Sequence, residues 1–169
     1  MDDSLKLALW QQFGAAIDML DNAILTCPED LWSGPQLFPE PWQLVHHTLF
    51  WLDLYLYGAV EGFKPPAPFA LEELDPSGIF PETVYTIEQL RDYLHSCREK
   101  CRKIIFELDD ESAARRCRFP WGEVSYFGLL IYNLRHVQHG AAQLNLLLRQ
   151  SIDRAGKWVG VAKKSPDHT

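Results

Sequence analysis

The chain has little to offer a nucleic acid, a membrane or an oxidising compartment. Its 169 residues carry a formal charge of −7, with a pI near 5.3, so the basic stripe that neutralises phosphates is missing and nucleic acid is excluded as a partner. No basic stretch followed by an apolar run opens it, and no segment reaches the ~18 to 20 apolar residues of a membrane span. The expectation is a cytoplasmic protein with no membrane partner. Its four cysteines, Cys27, Cys97, Cys101 and Cys117, are too few and too irregularly spaced for a disulfide framework. Cys97 and Cys101, four apart on a predicted helix, read first as small core residues and second as a shared ligand or redox site. There is no nucleophile elbow, Gly-rich phosphate loop, HExxH pair or paired-carboxylate motif, and no internal repeat. The enzyme chemistry left open is metal-activated, in which a divalent ion lowers the pKa of water or a thiol and presents it as an anion.

What the chain does have is bulk and periodicity. Hydrophobic residues make up 47% and charged residues 23%, with six Trp and nine Phe, enough for one continuous core. Leu5, Leu9, Phe13, Ile17, Leu20 and Ile24 recur at helical spacing and predict a first helix over 4–25, stopped by Pro28. A second is predicted from Pro41 or Trp42 to Val60, apolar almost all round, with Asp53 as its one charge, read as solvated. The prolines at 65, 66, 68, 76 and 81 make 61–85 a long loop, and its phenylalanines, Phe63, Phe69 and Phe80, favour a packed lid. Thr86 and Gln89 cap a third helix with an apolar face from Ile87 to Leu108 that ends at Asp109–Asp110. The stretch 119–125, FPWGEVS, reads as a turn before a fourth helix over 124–150. With no convincing strand, the fold class is all-α: an up-and-down four-helix bundle with a long loop between helices two and three. One domain over 1–162 and a flexible tail over 163–169 complete the expected organisation.

The fourth helix places Tyr132, His136, His139 and Gln143 on one narrow stripe, with Asn133 and Gly140 at its edge. Two imidazoles about one turn apart form a small chelating unit that needs a further donor from another helix. The other histidine pair is His46 and His47, and spacing does not decide which of them looks inward. Three neutral imidazoles suit Zn²⁺, Ni²⁺ or Fe²⁺ and leave a position open for substrate. The strongest apolar stripe of the fourth helix, Phe127, Leu130, Leu134, Ala141, Leu144 and Leu148, lies opposite His136. By that count the histidines face solvent, a second helix layer or a subunit contact.

Three segments in this order, HHTLFWLDLYL at 46–56, FPWGEVS at 119–125 and NLRHVQHGAAQLNLLLRQ at 133–150, resemble the DinB-like superfamily of helical-bundle metalloproteins. The resemblance covers most of the chain. It implies metal ligation by one histidine of helix two and two of helix four. His47, directly before Thr-Leu-Phe-Trp, matches the first of these, and His136 matches the second. The third family ligand falls four residues after His136, where this chain has Gly140, leaving His139 as the candidate one residue earlier. Tyr132, Asn133, Gln143 and Trp121 are then expected to orient ligands or substrate. Family members of this kind include metal-dependent transferases that use low-molecular-weight thiols such as bacillithiol or mycothiol. The resemblance implies a homodimer that transfers such a thiol to a small electrophile. The competing reading is a non-catalytic homodimeric binding module with a degenerate metal site, and a third is metal-assisted hydrolysis.

Overall fold

In the computed structural model, residues 1–34, 37–79 and 81–162 are described, and the expectations for Phe80 and for the 163–169 tail lie outside them. Six helices and one two-stranded sheet are found among the described residues. Helix α1 (Asp3–Thr26) starts where the Asp2 carboxylate accepts from the Ser4 and Leu5 amides. The one-turn α2 (Glu29–Trp32) interrupts the expected connector, and the Trp32 indole ties it to the Tyr85 carbonyl at 2.8 Å.

Helix α3 (Pro41–Tyr57) has proline in its first turn and a Glu40/Gln43 capping box, and it ends at Gly58, whose φ of 86° favours glycine. It therefore stops three residues before the expected Val60. Helix α4 (Ile87–Glu107) begins at the Thr86/Gln89 capping box that the sequence predicts. The short α5 (Asp110–Ala114), capped by Asp109, occupies the charged connector.

The FPWGEVS segment corrects the sequence reading. It is half of an antiparallel hairpin, β1 (Arg116–Phe119) with β2 (Gly122–Ser125), in the register Phe119 opposite Gly122 and Cys117 opposite Val124. Cys117 and Phe119 point into the core while Arg116 and Arg118 point out and both bind Glu123. Two four-residue strands are too short to register as a period-2 pattern, which is why the sequence shows only a turn.

The hairpin runs directly into α6 (Tyr126–Ile152), capped by the Ser125 hydroxyl on the Gly128 amide. Each long helix packs on two others: α1 on α6 and α4, and α3 on α6 and α4. Phe13, Ile17, Leu20 and Ile24 of α1 meet Leu49, Phe50 and Leu52 of α3, Leu90, Leu94 and Ile105 of α4 and Val137, Leu144 and Leu148 of α6 in one core. After α6 the chain doubles back along α1, where Asn22 donates to the Lys157 carbonyl at 3.0 Å and the Ala162 amide to the Gln11 carbonyl at 2.9 Å.

Polar side chains bolt the helices together. Asp53 is buried, not solvated: Lys100 donates to it at 2.6 Å and the Tyr93 hydroxyl at 3.1 Å, linking α3 to α4. Among the described residues no helix is long and apolar enough to cross a membrane.

Candidate functional site: an imidazole pair between two helices

The α6 helix is clasped by α1 on one side and α3 on the other. On its histidine side, His136 faces His47 and Tyr55 of α3. The His136 ring centroid lies 5.6 Å from that of His47 and 6.1 Å from that of Tyr55. His136 Nε2 is buried and has no hydrogen-bond partner. Burial, with His47 beside it adding to the effect, lowers the His136 pKa to about 4, so the ring is neutral at physiological pH.

His47 is placed differently. Its side chain is 48% exposed, yet Nδ1 lies 2.7 Å from Glu73 Oε2. The Trp51 indole, one turn along α3, donates to the same oxygen at 3.1 Å. Glu73 sits on a 3₁₀ turn, Glu72–Leu74, inside the long loop. Burial pushes its carboxyl up, but the His47 bond, the two histidines and Trp51 together bring it below its ordinary value. His46 goes to another environment, a box of Phe50, Phe69 and Tyr85 with centroids at 6.3, 5.8 and 4.9 Å. It is buried, its Nδ1 stops 3.6 Å from Glu73 Oε1, and its Nε2 has no partner.

An aromatic wall stands beside the imidazoles. Tyr55 meets Tyr132 edge-on at 5.3 Å, and Trp121 from the hairpin turn stacks on Tyr132 at 4.6 Å and on Phe119 at 5.6 Å. A recess of about 540 Å³ opens on α6 between Tyr132, Arg135, His136 and His139. Two recesses of similar size lack an imidazole: one of about 560 Å³ between α2 and the start of α4, and one of about 510 Å³ between the end of α3 and β1, which includes Cys117 in its lining.

Of the residues singled out by the sequence, the structure brings together His47, His136, Tyr132 and Trp121. It does not bring in the others equally. His139 lines the recess but is exposed, and Gln143 is exposed one turn further on. Asn133 is buried and donates to the Leu52 carbonyl at 2.9 Å, so it joins α6 to α3. Gly140 abuts Thr48, whose hydroxyl a Cβ at position 140 would meet at 2.3 Å. All four cysteines are free and buried, and burial raises the Cys97 and Cys101 thiols, which leaves them as core residues.

Sequence reasoning missed Glu73 and Tyr55. Tyr55 had a signal, since 47, 51 and 55 share one face of α3 at i, i+4, i+8. Glu73, 26 residues from His47 in a loop, had none.

The neutral imidazoles set a pH dependence. His46 and His136 both have folded pKa values below the ordinary 6.5, chiefly through burial. The folded state therefore binds fewer protons than the unfolded one, and stability present above about pH 6.5 is lost as pH falls towards 4. For His136 the loss is on the order of 3 kcal/mol. Urea titrations of chelator-treated protein at pH 8, 6 and 4.5 read it. A midpoint unchanged down to pH 4.5 contradicts the buried neutral form.

Imidazoles from two separate helices thus meet edge to face, one of them held by a carboxylate, in a helical protein with a histidine pair between helices. The chain belongs to the DinB superfamily, whose family model matches residues 9–144. No curated protein and no solved structure matches it.

Proposed function

We propose that this protein is an up-and-down four-helix bundle of the DinB type that binds a divalent metal ion, Zn²⁺, Ni²⁺ or Fe²⁺, between His47 and His136. The observation that carries the reading is the buried, unpartnered Nε2 of His136 beside His47. A buried imidazole nitrogen without a hydrogen bond is costly in a finished core, and a metal ion is a partner such nitrogens commonly take. The donor set fits in part. Among the described residues no group of three His, Cys, Asp or Glu side chains is arranged to hold an ion, so His47 and His136 supply two positions and His139, exposed at the recess, is the candidate for a third. When bound, the ion supplies Lewis acidity that presents a small thiol as its thiolate.

The reading extends to transfer of that thiol to a small electrophile. Family membership and the aromatic wall support this: Trp51, Tyr55, Trp121 and Tyr132 offer apolar faces to an uncharged molecule. Arg135, in the recess lining, offers a cation to an acidic group of the thiol. A homodimer is part of the proposal, supported by the exposed Ile131 and Leu146 on α6.

A specific observation favours a second reading. The Gly140 contact with Thr48 closes the position where family members carry a ligand, which agrees with a binding module that has lost its metal. Tag-free, chelated protein titrated with Zn²⁺ and Ni²⁺ separates the two. Metal binding predicts a stabilisation of about 2.7 kcal/mol at a hundred times Kd, absent in His136→Ala. Less than a tenth of an equivalent bound by wild type overturns the metal reading and leaves the binding module. Turnover that requires added thiol distinguishes transfer from metal-assisted hydrolysis.

A further inference from the structure

Glu73 is the residue for which neither the sequence pattern nor the family ligand set has a role. We infer that Glu73 is a positioning residue: from the 61–85 loop it fixes the proton of His47 on Nδ1 and so keeps the Nε2 lone pair available to a ligand shared with His136. This rests on the proposed reading that the two imidazoles form the site.

A carboxylate only accepts hydrogen bonds, so the 2.7 Å contact requires His47 Nδ1 to carry the proton. In a neutral ring Nε2 is then the bare nitrogen. Carboxylate, imidazole and metal in that order is the usual way a ligating histidine is held, with the outer partner setting tautomer and ring orientation. The geometry shows that Glu73 does the holding. Its Oε2 also accepts from the Trp51 indole at 3.1 Å, so the carboxylate is fixed by a second donor that does not depend on His47. The carboxylate is sheltered, with 10% of its side chain exposed, whereas the His47 side chain is 48% exposed.

The same bond couples the loop to the site. Phe63 packs on Phe50 and Phe69 on Tyr93 ahead of the 3₁₀ turn, Tyr85 packs on His46 after it, and Glu73 on this turn reaches His47 and Trp51 of α3.

Two measurements test this, and the first is independent of metal. Histidine ¹⁵N NMR of chelated protein at about pH 9, above the ordinary histidine range, reports the tautomer of His47 directly. The expected result is Nδ1–H in wild type and in Glu73→Gln, whose amide oxygen still accepts, and loss of that preference in Glu73→Ala. Wild-type His47 protonated on Nε2 overturns the inference. The second measurement is the Zn²⁺ affinity of the same proteins. Glu73→Ala should bind 10- to 100-fold more weakly, with Glu73→Gln recovering most of the loss. Equal affinity in Glu73→Ala and wild type overturns the inference. If wild type binds no Zn²⁺, the metal reading fails, and the tautomer result decides the role of Glu73 by itself.

Discussion

Gly140→His is expected to destabilise the protein by about 3 kcal/mol or more and to leave its metal affinity no better than wild type. From sequence this substitution looks like a repair, since it restores a histidine where the superfamily resemblance expects one. In the folded chain the Cβ of residue 140 would lie 2.3 Å from the Thr48 hydroxyl oxygen, 2.8 Å from its methyl and 3.1 Å from its Cβ. Thr48 has little room to yield. It is fully buried, and its hydroxyl donates to the Leu44 carbonyl at 2.8 Å on its own helix.

Inserting atoms into a closed contact costs about 1 to 3 kcal/mol, sometimes more, and a whole imidazole stands at the upper end. Even Gly140→Ala, which gains about 1 kcal/mol of helix propensity, should lose on balance. Thermal melts of Gly140→Ala, Gly140→His and the double variant Thr48→Ala/Gly140→Ala decide the matter. The double variant removes the two nearest Thr48 atoms and should recover most of the alanine loss. A Gly140→His protein as stable as wild type, with tighter Zn²⁺ binding, would refute the steric account.

Arg98→Ala should be comparably damaging for a different reason. Arg98 of α4 donates to the Asp18 carboxylate of α1 through Nε at 2.8 Å and Nη2 at 3.4 Å, and its guanidinium lies 5.1 Å from the centre of the Trp10 ring. The two side chains are 9% and 6% exposed. Truncation leaves the Asp18 carboxylate buried without that cation, which costs about 3 to 5 kcal/mol. That lowers the melting temperature by roughly 10 °C for a chain of this size.

The ion pair should not be read as a large net stabiliser, because desolvating both charges offsets much of their attraction. Replacing both, as in Asp18→Leu/Arg98→Met, is therefore expected to be less destabilising than Arg98→Ala alone. A double variant as destabilised as Arg98→Ala, or more so, would contradict this reasoning.

Much of the scaffold was legible in the chain because helices are local. The start of α4 follows from Thr86 and Gln89 and that of α3 from Pro41, while Pro28 stops the first helix. The β1–β2 hairpin was not legible, because four-residue strands show no period and their pairing is a contact between segments. Asn133 illustrates the same limit in the site. On the helix wheel it belongs with the polar residues, but α6 is enclosed on two sides, and the amide is spent on the Leu52 carbonyl. Asp53 went from solvated to buried by the same logic, since only the approach of α4 brings Lys100 and Tyr93 to it.

By itself, then, the sequence determined where the four long helices run and which imidazoles were available, since each depends on neighbours a few positions apart. The tertiary structure decided which imidazoles meet. Helix packing brought His136 to His47, sent His46 into an aromatic box and left His139 outside, and a loop 26 residues away delivered Glu73 to the pair. Such encounters depend on how helices cross and where a loop lands, and no local spacing encodes either.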